Sequence, residues 1–136
     1  MTQEDKNLLL KDLCARLPYK AKVQDTYYKS LEPAPIWLLD LDAQSVRLFA
    51  DEGYQSIEYI KPYLFPLSSM TEEQKQEYTY IVNYISSDDT ENWKEGEFIY
   101  VEQFTQLMHF YHINHLDYMG LIDKGLAIDA TDKNIY

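Results

Sequence analysis

The chain has 136 residues, 46% hydrophobic and 26% charged, enough to build one core and too few for two ordinary domains. Its formal net charge of -11, with lysines and arginines scattered singly, repels a phosphate backbone and speaks against direct nucleic-acid binding. No apolar run approaches the roughly 20 residues that cross a membrane, no basic leader precedes an apolar segment, and Cys14 has no second cysteine to pair with, so one compact cytoplasmic domain over 1–136 is expected.

The first predicted element is a helix. Thr2 can cap it, Glu4 and Asp5 suit its positive end, and Leu9, Leu10, Leu13, Cys14 and Leu17 recur at helical spacing until Pro18. On that stripe Cys14 reads as a small buried hydrophobe, since no Cys-His motif accompanies it. From Lys20 the period shortens to two, and Ala21 and Val23 alternate with Lys20, Lys22 and Gln24 as in a short strand. Beyond the loop at Pro33 and Pro35, the run from Ile36 to Asp42 places Trp37, Leu39 and Leu41 on one face and Asp40 and Asp42 on the other. A turn at 42–45 returns the chain along Val46 to Ala50, which predicts a hairpin. Asp40, Asp42, Gln44 and Asp51 brush a calcium-loop spacing, but Ser45 stands where that loop needs glycine and Asp51 where it needs glutamate.

A fourth extended piece, Ser56 to Ile60, leads into Pro62 and Pro66, which hold 63–65 extended. Thr71 with Gln74 then forms a capping-box sequence for a helix over about 72–86, with Tyr78, Ile81, Val82 and Ile85 inward and Glu73, Gln76, Glu77 and Asn83 outward. This helix is expected to pack on the sheet. The segment 86–92 is polar enough for a surface loop, and 93–96 reads as a turn. A third helix is predicted over about 102–111 and a short one over about 116–124, with Gly125 in the left-handed cap position. The residues after 125 add at most one extended segment before a frayed end. The expected fold is therefore α+β: an N-terminal helix, a small, mainly antiparallel sheet, a central helix packed on it, and two shorter C-terminal helices.

No catalytic constellation stands out. Gly53, Gly96, Gly120 and Gly125 are too dispersed for a phosphate loop, and no nucleophile elbow is present. No cofactor is expected. His109, His112 and His115, with Asp117, have a spacing that suggests metal ligands, yet a break near His115 and the lack of a zincin glutamate favour ordinary packed or surface histidines. Composition offers two further leads. From Glu72 to Glu102 there are nine acids against two lysines, and the chain holds thirteen tyrosines, a residue enriched at interfaces. Glu73, Glu77, Tyr80, Tyr84, Asp88, Asp89 and Trp93 thus define a candidate acidic, aromatic surface for a protein partner. Such a surface can also imitate a phosphate backbone and occupy a nucleic-acid-binding protein. The competing reading is a small metal-binding protein or metal-dependent hydrolase built on the histidines, and a homo-oligomeric component is a third.

Three stretches carry a resemblance: Leu8 to Tyr19 (LLLKDLCARLPY), Lys61 to Leu64 with Ser68 to Glu73 (KPYL and SSMTEE), and Asp117 to Ala127 (DYMGLIDKGLA). Together they resemble a family of short uncharacterised proteins of gut bacteria and their phages or prophages, in which Gly is frequent where this chain has Lys20, and Arg where it has Phe65 and Met119. The resemblance implies a mobile-element setting and no catalytic residue.

Overall fold

The structure, a computed structural model, describes residues 1–28, 32–48, 53–86 and 97–136. Helix α1 (Gln3–Arg16) starts with a complete capping box: the Asp5 amide donates to Thr2 Oγ1, and the Thr2 amide donates to the Asp5 carboxylate. Its last residue leads into a 3₁₀ turn, Leu17–Tyr19, after which Lys20 takes φ 55, the left-handed conformation that glycine reaches without strain. The chain then builds β1 (Lys22–Asp25), β2 (Ala34–Asp40), β3 (Ser45–Leu48), β4 (Tyr54–Ser56) and β5 (Ile60–Leu64). Helix α2 (Glu72–Ser86) and helix α3 (Glu97–Ile113) follow, and β6 (Ile128–Asp129) closes the order. The α+β architecture expected from the sequence is what forms.

The strands make one sheet in the order β4-β3-β2-β1-β5-β6, antiparallel throughout except for the parallel β5–β6 pair. Strand β5 is the hinge of this arrangement. It pairs with β1 through Val23 and Pro62, and β6 joins it from Tyr63 onward, past the proline that lacks a donor. Just beyond β5, the amide of Phe65 donates to the His115 carbonyl and the Asp117 amide donates to the Phe65 carbonyl, which docks the exit of α3 alongside the sheet.

Two hydrophobic clusters result. An aliphatic one joins Leu9 and Leu13 of α1 to Val23, Val46, Ile57, Ile60 and Leu64, with Leu121 and Leu126 from the C-terminal segment. The other is aromatic: Ile81 of α2, Phe110 and Tyr111 of α3, and Leu116, rimmed by Phe65, Tyr78 and Tyr118. Helix α2 finds its main partner in α3, and their cluster reaches the sheet at the Phe65 end of β5. The start of α2 follows the capping box read from the sequence, with Gln74 N donating to Thr71 Oγ1 and Thr71 N donating to Gln74 Oε1.

Several details differ from the expected pattern. The buried face of α1 is Leu9, Leu10, Asp12, Leu13 and Arg16, so Cys14 is exposed and Leu17 lies at the surface. In β2 the register shifts between Ile36 and Leu38, which turns Ile36 and Leu39 toward the core and leaves Trp37 and Leu38 outside. The short helix expected at 116–124 contracts to one helical turn ending in a Schellman closure. Leu126 N donates to the Leu121 carbonyl and Gly125 N to that of Ile122, with Gly125 at φ 72. The end of the chain is tied down, because the Tyr136 hydroxyl accepts from Lys22 N and donates to the Tyr63 carbonyl.

Candidate functional site

Glu73, Glu77 and Tyr80 follow one another at helical spacing and share the outward face of α2, as the hydrophobic pattern requires once Tyr78, Ile81 and Val82 turn inward. Tyr80 is 71% exposed, the most exposed large apolar side chain among the described residues. One turn earlier Lys75 is spoken for by Glu72, at 3.4 Å. The side chain of Tyr84, together with Asp88, Asp89 and Trp93, lies outside the described residues.

Beside this face, between α2 and α3, lies an open cleft of about 550 Å³. Glu77, Tyr80 and Ile81 form one wall, Gln106, Met108 and His109 the other, and Tyr19 from the 3₁₀ turn closes the end. The Tyr19 hydroxyl and His109 Nδ1 share a hydrogen bond of 2.9 Å, and the Tyr19 ring also leans on His112. His112 Nε2 is in turn 2.9 Å from the Tyr118 hydroxyl. Burial, with smaller contributions from Arg16 and His109, pushes His112 down to about 4, so it is neutral at pH 7.

The histidines therefore have separate tasks. His109 binds Tyr19 and His112 binds Tyr118, while His115 stacks on Tyr136 at 3.7 Å between ring centroids. Asp117 uses both carboxylate oxygens to accept the amides of Leu121 and Ile122, fixing the turn that follows. Among the described residues no group of three or more His, Cys, Asp or Glu side chains is placed to hold a metal ion. His109, His112, His115 and Asp117 are close in sequence, but they do not converge: His109 and His112 both border Tyr19, His115 stacks on Tyr136, and Asp117 caps the turn that follows.

Sequence reasoning missed a buried ion pair. Arg16 Nε lies 2.8 Å from Asp12 Oδ2, both side chains are essentially inaccessible, and Arg16 Nη2 donates to the Leu116 carbonyl at 2.6 Å. The Arg16 guanidinium also sits 5.2 Å from the centre of the Tyr118 ring. Burial pushes the Asp12 carboxyl up, and Arg16 opposes it. Asp12 Oδ1, Arg16 Nη1 and His115 Nδ1 are buried with no hydrogen-bond partner. The signal available was the position of Asp12 and Arg16 one turn apart, flanking Leu13 on the same face.

A second exposed surface lies on the sheet. Leu38, Arg47 and Tyr54 are paired across β2, β3 and β4 and so point to one face, with Trp37 beside them. Trp37 is 56% exposed and Tyr54 58%, and the Arg47 guanidinium covers the Trp37 ring at 4.6 Å.

Comparison with protein-family models, with curated proteins and with solved structures returns no match. Among the described residues no helix is long and apolar enough to cross a membrane.

Proposed function

We propose that this chain acts by binding a protein partner that carries basic residues, through the outward face of α2 and the cleft next to it. The observation that carries the reading is Tyr80, held in solvent at the lip of an open cleft with Glu77 beside it and Glu73 one turn before. Exposed tyrosine contributes contact area at small entropic cost, and carboxylates around it favour a basic partner over an acidic one. The net charge of -11 adds long-range attraction of the same sign. The resemblance to small proteins of gut bacteria and their phages suggests an accessory role in a mobile element, and an acidic face of this kind suits occupation of a nucleic-acid-binding protein. The metal reading lacks a ligand set among the described residues.

The test is affinity capture from host lysate after nuclease treatment, comparing the natural chain with a Glu73→Lys/Glu77→Lys variant. A partner held by the first and lost by the second supports the reading; a partner held equally by both removes α2 from the interface. The exposed Trp37 and Tyr54, with the half-buried Arg47 over the Trp37 ring, support a second reading, in which the outer face of β2–β4 makes the contact, since these residue types dominate binding energy at interfaces. Loss of capture in Trp37→Ala/Tyr54→Ala with retention in the charge-reversed variant would favour it.

A further inference from the structure

The α2–α3 cleft is selective in its chemistry. Tyr19 and Tyr80 place aromatic surface at its end and lip, Ile81 and Met108 supply apolar wall, and Glu77 is the only carboxylate among the described side chains that line it. No lysine or arginine is among those lining residues. Arg16, whose charge reaches His112 from behind, is held against Asp12, and Lys75 lies beyond Tyr80 in contact with Glu72. An anion entering here meets Glu77 and finds no lysine or arginine among the described lining side chains. A neutral apolar group can touch the walls but leaves Glu77 without a partner. A cation on an apolar stem satisfies both, the stem against Ile81 and Met108 and the charge against the carboxylate and the faces of the tyrosines.

Resting on the reading that this side of α2 meets a basic partner, we propose that the cleft is the anchor pocket for one lysine or arginine side chain of that partner, with the cationic head held by Glu77 and Tyr80 and Tyr19 positioned by its hydrogen bond to His109. The volume of about 550 Å³ lies in the range of small-ligand sites and leaves room for the flanking backbone of the inserted segment.

The test is a titration of ¹⁵N-labelled protein with N-acetyl-arginine methylamide and N-acetyl-lysine methylamide, against the uncharged N-acetyl-norleucine methylamide. The expected result is saturable amide shifts confined to 19, 77–81 and 105–112 for the cationic compounds, with norleucine about tenfold weaker. Glu77→Gln should weaken the cationic compounds by about the same factor and leave norleucine unchanged, and Tyr80→Ala should remove the response. Equal binding of norleucine, shifts elsewhere, or no saturable response up to about 20 mM overturns the proposal. Lysate capture separates the two claims. A partner lost on charge reversal while the cleft ignores cations leaves the broader reading standing and removes this one; cation binding at 19, 77–81 and 105–112 without any captured partner keeps the cleft's preference for cations and removes its role as a partner's anchor pocket.

Discussion

The two hydrophobic clusters use different chemistry for different ends. The aliphatic cluster is sealed: Leu9, Val23, Val46, Ile57, Ile60, Leu64 and Leu121 have no accessible surface. Branched side chains have no polar tip and can be closed in on every side. The aromatic cluster is buried at Ile81, Phe110, Tyr111 and Leu116 and less completely sealed, and Tyr78, Tyr118 and Met108 at its edge remain partly open. A tyrosine must bring its hydroxyl to a partner or to water, so a cluster built from tyrosines keeps a polar rim. The cleft opens at another edge of this cluster, against Ile81, Met108 and Phe110. The sheet side thus holds the more fully buried cluster, and the helix side holds the cleft for which recognition is proposed.

The most severe way to break this division is to cut the tie between its halves. Arg16 belongs to α1 of the aliphatic side, yet it binds the Leu116 carbonyl and covers Tyr118 of the aromatic side. Arg16→Met should cost about 3–5 kcal/mol in urea unfolding, because Asp12 is left buried without its partner. The Asp12→Leu/Arg16→Met double variant should recover most of the loss, and a double variant as unstable as the single one would refute that account.

Next in size is a matched pair. Leu64→Ala in the sealed cluster should lose about 3–4 kcal/mol, and Ile81→Ala at the cleft wall about 2 kcal/mol, since solvent can enter the space vacated at the cleft. Equal losses would mean that the two clusters are energetically alike.

Acid should act first on the aromatic side. Burial holds both His112 and His115 at about 4, against 6.5 in the unfolded chain. Between those values the unfolded chain takes up protons that the folded one refuses, so stability is complete above about pH 6.5 and falls as the pH drops toward 4. Asp12, raised above 3.8 by burial, contributes in the opposite sense just above that value. The expected outcome is a urea midpoint that declines from pH 7 to 4.5, with a shallower decline in His112→Gln/His115→Asn. An unchanged slope in the double variant would place the pH sensitivity elsewhere. The smallest effect is expected at the lip. Tyr80→Ala should shift stability by less than about 0.5 kcal/mol, as for other exposed positions, so that any loss of binding in this variant reads as recognition alone.

Some expectations from the sequence failed for instructive reasons. The stripe through Cys14 and Leu17 is the one that hydrophobicity alone selects for α1. The helix instead turns in Asp12 and Arg16, because opposite charges four residues apart can neutralise each other and be buried together when a carbonyl is waiting for the remaining donor. Strict alternation assigned Trp37 to the same face as Leu39. A single extra residue in β2 reverses that assignment for everything before it. Of the candidate partner surface, Glu73, Glu77 and Tyr80 were legible because they follow from the helical period of α2, whereas the cleft beside them was not, since one of its walls comes from α3 and its end from Tyr19.

By itself the sequence determined whatever is decided within a few residues: the capping boxes at Thr2 and Thr71, the extended run around Pro62, the left-handed turn at Gly125 and the polar face of α2. These depend on backbone sterics and on hydrogen bonds that span one helical turn. Tertiary structure alone decided that β5 lies between β1 and β6, that α2 settles on α3, that Arg16 meets a carbonyl 100 residues away, and that His109, His112 and His115 face three different tyrosines. Most of those contacts join segments that are distant along the chain, and their geometry follows from how the whole set of faces can be buried at once.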